Sequence, residues 1–196
     1  MAFWSTNFGQ TPDLKDPKRS FRFTVEFTGI EDKEGNGPTL WDAKTCQKPS
    51  FTITTAEHKY LNHTFQYPGS VTWNEVALTL VDPVLPDMTA TLSDIVQKAG
   101  YSPPTNATAE QMGTMSKAKS AAALGQVYIK QIDSDGNPLE TWTLWNAFIT
   151  DVKYGDLSYG EDALTELSVT LKYDWAMVDT ANASATDTPG NKFFSN

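Results

Sequence analysis

The chain has 196 residues, of which 39% are hydrophobic and 12% aromatic, enough for one domain with a sizeable β-rich core. Its net charge of −9 excludes a protein that grips nucleic acid through a basic footprint, though not one that must avoid gripping it. A single cysteine, Cys46, excludes an intrachain disulfide framework and suits a reducing compartment.

Residues 1–19 are polar, with Pro12, Pro17 and scattered aromatics (Phe3, Trp4, Phe8), and read as an N-terminal arm. The opening MAFWSTNFGQ lacks a basic region followed by an apolar run, so no signal peptide is expected. No apolar run approaches the roughly 18 residues of a membrane span. Sequons at Asn62, Asn106 and Asn182 therefore read as chance.

Residues 20–29 alternate cleanly. Phe21, Phe23, Val25 and Phe27 face one way, and Arg22, Thr24, Glu26 and Thr28 the other, which predicts a half-buried strand. EDKEGNGP (31–38) is a turn by composition, and residues 40–48 form the next predicted strand. Pro49 and Pro68-Gly69 then bracket an excursion at 51–67. β-Formers (Phe51 to Thr55) lead to a polar tip (Glu57, His58, Lys59), and a second β-run from Tyr60 to Tyr67 returns. Such a projecting hairpin is marginal on its own in water, and its aromatics want a surface that the rest of the chain does not obviously provide. It is read as an arm that packs on another subunit.

Residues 71–81 follow as a strand in which Val76, Leu78 and Leu80 alternate with polar positions, ended by Asp82-Pro83. Asp87 is placed to cap a helix over 87–100, in which Met88, Leu92, Ile95, Val96 and Ala99 recur at helical spacing and Gly100 closes it. Residues 102–124 read as a variable insertion, with a short helix within 110–124. Strands at 127–132 and 139–150 are joined by DSDGNP, in which Asp135-Gly136 is a strong hairpin turn. Leu167, Val169, Leu171, Tyr173 and Trp175 alternate as one core-facing strand. Residues 178–196 are rich in Ala, Thr, Asn and Asp and read as a C-terminal tail, with Phe193-Phe194 a docking point at its end.

These elements describe a mainly β protein of the α+β kind. It is an antiparallel sandwich or barrel over 20–177, with a flanking helix and a long projecting hairpin. Catalytic chemistry is not legible in it. His58 and His63, five apart in the hairpin, suit no metal set and read as surface polar residues. Cys46 has no foreseeable base beside it and reads as a small buried side chain. Asp133, Asp135 and Gly136 resemble a fragment of a calcium loop, but Pro138 interrupts it and Leu144 stands where the late bidentate acid belongs, so a turn is expected. No catalytic, metal or cofactor site is expected. Six tryptophans raise a second reading, a carbohydrate-binding β-sandwich module, although Trp142 and Trp175 fall in registers that suit core packing.

The order of parts also carries a resemblance. A strand reading WDAKTCQKP, the hairpin, a strand reading SVTWNEVALTLVDP, a helix, and a close from Trp145 to LSVTLKYDWA together resemble the tail tube protein of contractile-tailed, myovirus-type bacteriophages. The resemblance covers roughly residues 20–100 and 125–177. It implies a virion protein, assembled in the host cytoplasm, whose hexameric rings stack into the inner tail tube. The partners it implies are further copies of itself, the sheath protein, the baseplate tube initiator, the tape measure protein, the tail terminator, and double-stranded DNA passing through without specific binding. The tube initiator itself, and tubes of type VI secretion systems and bacteriocins, are alternatives of the same class. The hairpin matches the inter-ring arm, with Phe51, Ile53, Tyr60, Leu61, Phe65 and Tyr67 as interface residues. The lumen should come from wet strand faces, for which Glu75, Glu166 and Asp174 are candidates. The other place for these acids is outside the lumen, or in bridges to Lys153 or Lys172 of a neighbouring subunit.

Overall fold

The computed structural model describes residues 17–29, 39–40, 43–84, 87–103, 105, 113–160, 162–181 and 192–194. The expectations for Trp4, Trp41, the loop at 31–38, residues 106–112 and most of the tail lie outside them.

Two antiparallel sheets enclose one core. The six-stranded sheet joins β1 (Phe23–Phe27), β2 (Thr39–Leu40), β7 (Val127–Ile132), β8 (Pro138–Trp145), β11 (Trp175–Thr180) and β12 (Lys192–Phe193), in the order β12-β11-β8-β7-β1-β2. The four-stranded sheet joins β3 (Ala43–Cys46), β6 (Val76–Val81), β9 (Phe148–Lys153) and β10 (Glu166–Lys172), in the order β3-β6-β10-β9. Among the described residues, β4 (Phe51–Tyr60) and β5 (His63–Trp73) pair only with each other and form a separate two-stranded arm. The expected mainly β fold with a projecting hairpin is therefore present.

The sandwich follows from alternation. In β6 and β10, Val76, Leu78, Leu80, Leu167, Val169 and Leu171 are fully buried, and their neighbours point out. Val25, Phe27, Val127, Ile129, Leu144, Ala176 and Val178 supply the facing layer from the other sheet. Side chains of both sheets join one apolar cluster, as a two-layer domain requires.

Helix α1 (Met88–Lys98) closes this core with Met88, Leu92 and Ile95, one face at i, i+4 and i+7. Asp87 caps it by accepting from the Ala90 N–H at 3.0 Å. Asp82 accepts from the Met88 N–H at 3.2 Å and the Thr89 hydroxyl at 2.9 Å, so two acids satisfy two of the first turn's orphan N–H donors. Gly100 ends it at φ +108°, where a Cβ would stand 2.9 Å from the Thr114 carbonyl oxygen. Helix α2 (Lys117–Leu124) packs beside α1 and buries Ala123 and Leu124.

Several sequence expectations need correction. The arm spans Phe51–Trp73, not 51–67, and its turn is Leu61-Asn62 rather than Glu57–Lys59. Pro68-Gly69 lies inside β5, because a strand with an open edge and a bulge tolerates a residue without an N–H. The run 71–81 is broken at Asn74-Glu75, where the arm gives way to β6, and the run 40–48 is divided between β2 and β3 in different sheets. The run 139–150 also serves both sheets, turning at Asn146 with φ +53°.

Trp175 is not in the core. The chain turns a corner after Tyr173, where the Asp174 N–H donates to the Trp145 carbonyl at 3.1 Å, and Trp175 opens β11 on the opposite sheet with its ring exposed. β11 then runs to Thr180, past the expected end of the domain at 177, because main-chain pairing to β8 does not depend on the polar composition that suggested a tail.

Candidate assembly surfaces

The arm is the least self-sufficient part of the subunit. Strands of 10 and 11 residues project by about 33 Å. Its root is fixed. The Asn74 N–H donates to the Ser50 carbonyl at 2.8 Å, and the Asn74 side-chain amide donates to the Ser50 hydroxyl at 3.0 Å. Phe51 packs edge-on against Trp73 with centroids 5.2 Å apart, and Trp73 reaches Tyr173 at 5.9 Å. Phe194 packs on both Phe51 and Trp73, so the C-terminal docking point exists and sits at the arm root. Phe51, at the root and touched by Trp73 and Phe194, and Ile53, Tyr60, Leu61, Phe65 and Tyr67 beyond it are all exposed, which places the six expected interface residues on one element.

Sequence reasoning missed an apolar groove beside that root. Trp145 and Trp175 are opposite each other on β8 and β11 and stack at 5.9 Å with planes 14° apart. The Trp145 indole N–H points at the Met177 sulfur, 3.0 Å away. Together with Phe51, Val71, Trp73, Met177 and Phe194 they line a groove of about 680 Å³. No sequence signal could have found it, because Trp145 and Trp175 meet only through the pairing of β8 with β11.

The outward face of the four-stranded sheet has the opposite character. Ala77, Thr79, Thr45, Ser168 and Thr170 occupy its centre. Glu75 and Glu166 stand on the same face, each beside a lysine of this same chain: Lys172 at 3.2 Å from Glu75, and Lys44 against Glu166. Lys153 and Asp151 lie across it at 3.8 Å. The face is therefore polar, built of small side chains and balanced in charge. Asp174 is elsewhere, at the β10–β11 corner. Hydrogen bonds from Lys117 and Asn146, 2.7 and 2.8 Å away, hold its carboxyl below the usual carboxylate range. The three lumen candidates thus form a pair on one face plus one separate residue.

A polar knot ties the arm root to the sandwich. Burial alone would raise the Glu140 carboxyl, but hydrogen bonds from Lys18, Lys48 and the Trp142 indole outweigh it and pull it down to about 2. Lys48, just before the arm, also donates to Gln131 at 2.8 Å, and Gln131 donates to the Arg19 carbonyl at 3.1 Å. A folded-state value below the unfolded one means this stabilisation is present above about pH 4.5 and lost as pH falls toward 2. Glu140→Gln should therefore lower the denaturation midpoint at pH 7 and approach wild type near pH 2. An unchanged gap across that range would refute the linkage.

Burial pushes the Cys46 thiol up to about 12, which leaves it a packing residue rather than a nucleophile. Asp133 accepts the Asp135 and Asn137 N–H groups at 2.8 Å each, the bonding of a turn. Among the described residues, no three His, Cys, Asp or Glu side chains are grouped to hold a metal.

No family model and no curated protein matches the chain. Solved structures do. A chain in the anti-feeding prophage baseplate is 16% identical, with TM-score 0.62 over 87% of this chain and 100% of that one. A chain in the tube-terminating cap of the same particle is 17% identical, with TM-score 0.62 over 90% and 100%. One in the PVC sheath–tube complex of an extracellular contractile injection system is 16% identical, with TM-score 0.58 over 84% and 93%. At these identities the likeness concerns the fold, and the chain carries the fold found in the tube-associated assemblies of contractile injection systems, as its resemblance to a contractile tail tube protein implies.

Proposed function

We propose that this chain is a non-catalytic structural subunit of a tube: six copies close a ring, and rings stack through the arm inside a contractile sheath. The carrying observation is the arm itself, two long strands whose aromatics beyond the root are left exposed by the described residues, on a fold whose solved examples sit in sheath–tube and tube-cap assemblies. A head-to-tail contact between copies gives rings or open stacks, and lateral joining of sheets would remove their exposed edges.

The outward face of the four-stranded sheet is the candidate lumen, with Glu75 and Glu166 on it. Small hydroxyl side chains and lysines already neutralised by acids offer DNA few free cations. A lining that repeated unpaired lysines over many rings would trap the polymer through counterion release. Double-stranded DNA as the cargo, and sheath, tape measure, baseplate initiator and terminator as partners, complete this reading.

The stacked pair of half-buried Trp145 and exposed Trp175 favours a second reading, a carbohydrate-binding module, since sugar rings stack on indoles. Electron microscopy of the purified protein separates the two. The tube reading expects rings or tubes, whereas a stable monomer whose tryptophan fluorescence is quenched by oligosaccharides would replace it.

A further inference from the structure

The arm changes its apolar face halfway along. β4 alternates without interruption, so Phe51, Ile53, Thr55, Glu57 and Lys59 share one side, and Thr52, Thr54, Ala56, His58 and Tyr60 share the other. Its partners are out of step. Ile53 lies opposite Val71, but Thr55 lies opposite Pro68, which leaves one extra residue in β5 at Gly69-Ser70. Such a bulge sets two successive residues on one side of the strand. The contacts agree. The Thr54 hydroxyl lies 3.3 Å from the Ser70 hydroxyl, and a Cβ on Gly69 would stand 2.4 Å from the same Thr54 oxygen. β5 carries Trp73, Val71, Tyr67, Phe65 and His63 as a single i, i+2 series in sequence. The bulge divides it. Val71 and Trp73 join Phe51 and Ile53 on the side of the tryptophan groove, while Tyr67, Phe65 and His63 join Ala56, His58 and Tyr60 on the opposite side.

We infer that the arm is two-sided: its root half is covered by one copy of this chain, seated in the tryptophan groove, and its tip half by a different copy on the opposite side. This rests on the tube reading and specifies its contacts. Copies of the same chain are the fitting occupants on charge. Phe51–Trp73 contains one acid, Glu57, and one lysine, Lys59, so on a chain of net charge −9 the arm is a neutral stretch where like-charged copies meet without repulsion. Geometry points to two of them: the root half and the tip half each present about 300 Å² of apolar surface on opposite sides of the strand pair, which one copy lying on one side does not cover.

Inserting one glycine after Thr54 puts the strands back in step and turns the tip's apolar face onto the same side as the root's, without removing any side chain. The wild-type chain should form rings that stack. The insertion variant should keep the wild-type denaturation midpoint and lose stacking. A second measurement uses the full chain with Cys46→Ser, carrying photo-crosslinkers at Ile53→Cys and Tyr67→Cys, mixed as a trace into excess unlabelled protein. Doubly labelled chains should give species of three linked chains, and singly labelled chains should stop at two. Tubes from the insertion variant, or species of only two chains from the double label, would overturn the two-sided arm and leave the tube reading standing. A wild-type chain that never assembles would overturn both.

Discussion

Leu171→Ala should destabilise the subunit by about 2–5 kcal/mol, a large fraction of the roughly 5–15 kcal/mol that holds a typical domain together. The reason is position. Leu171 is 1% exposed on β10, between Val76 of β6 and Ile149 of β9, and it belongs to the apolar cluster shared by both sheets. Truncation removes its transfer free energy and leaves a cavity between layers that cannot collapse independently. Thr170 is the matching control. It points outward on the same strand, so Thr170→Ala should stay within about 0.5 kcal/mol. Urea denaturation of the three proteins checks this, and equal midpoints for Leu171→Ala and wild type would remove β10 from the core.

Shortening the arm should abolish assembly and spare the fold. Because Ile53 and Val71 are opposite each other, replacing residues 54–70 with Asn-Gly closes a tight hairpin on an intact root. Among the described residues the removed part pairs only with itself, and its aromatic residues are exposed, so the shortened chain should unfold at the wild-type midpoint. It should form no tubes at concentrations where wild type does. Tubes of normal length from this variant would end the inter-ring role, and loss of cooperative unfolding would show that the arm belongs to the core.

How legible these features were depended on the physics behind each. β10 was readable because both its faces obey one rule, apolar inward and polar outward, from Leu167 to Tyr173. The same alternation misplaced Trp175, since period-2 patterning continues unchanged through a corner at which the chain switches sheets. α1 was readable down to its cap, because Asp87 and the spacing of Met88, Leu92 and Ile95 are local. The arm's existence was visible, but its length was not. Pro68-Gly69 ordinarily punctuates strands, and only the pairing across the arm shows it inside a bulge. The tryptophan groove gathers separate stretches of the chain, and the pairs Lys44–Glu166 and Glu75–Lys172 join residues 122 and 97 positions apart, which no local pattern encodes. Glu75 and Glu166 were placed on a wet face by alternation alone, whereas Asp174 was drawn away by the corner that captured Trp175.

The most direct test of the tube account is a helical reconstruction of the assembled protein, with the side chains that face the channel counted. The account predicts hexameric rings whose lumen is the Ala77, Thr79, Ser168 and Thr170 face, with Asp and Glu at least as numerous there as Lys and Arg, and with Trp145 and Trp175 buried between copies. A channel lined by more Lys and Arg than Asp and Glu, or by the tryptophan pair, would contradict it.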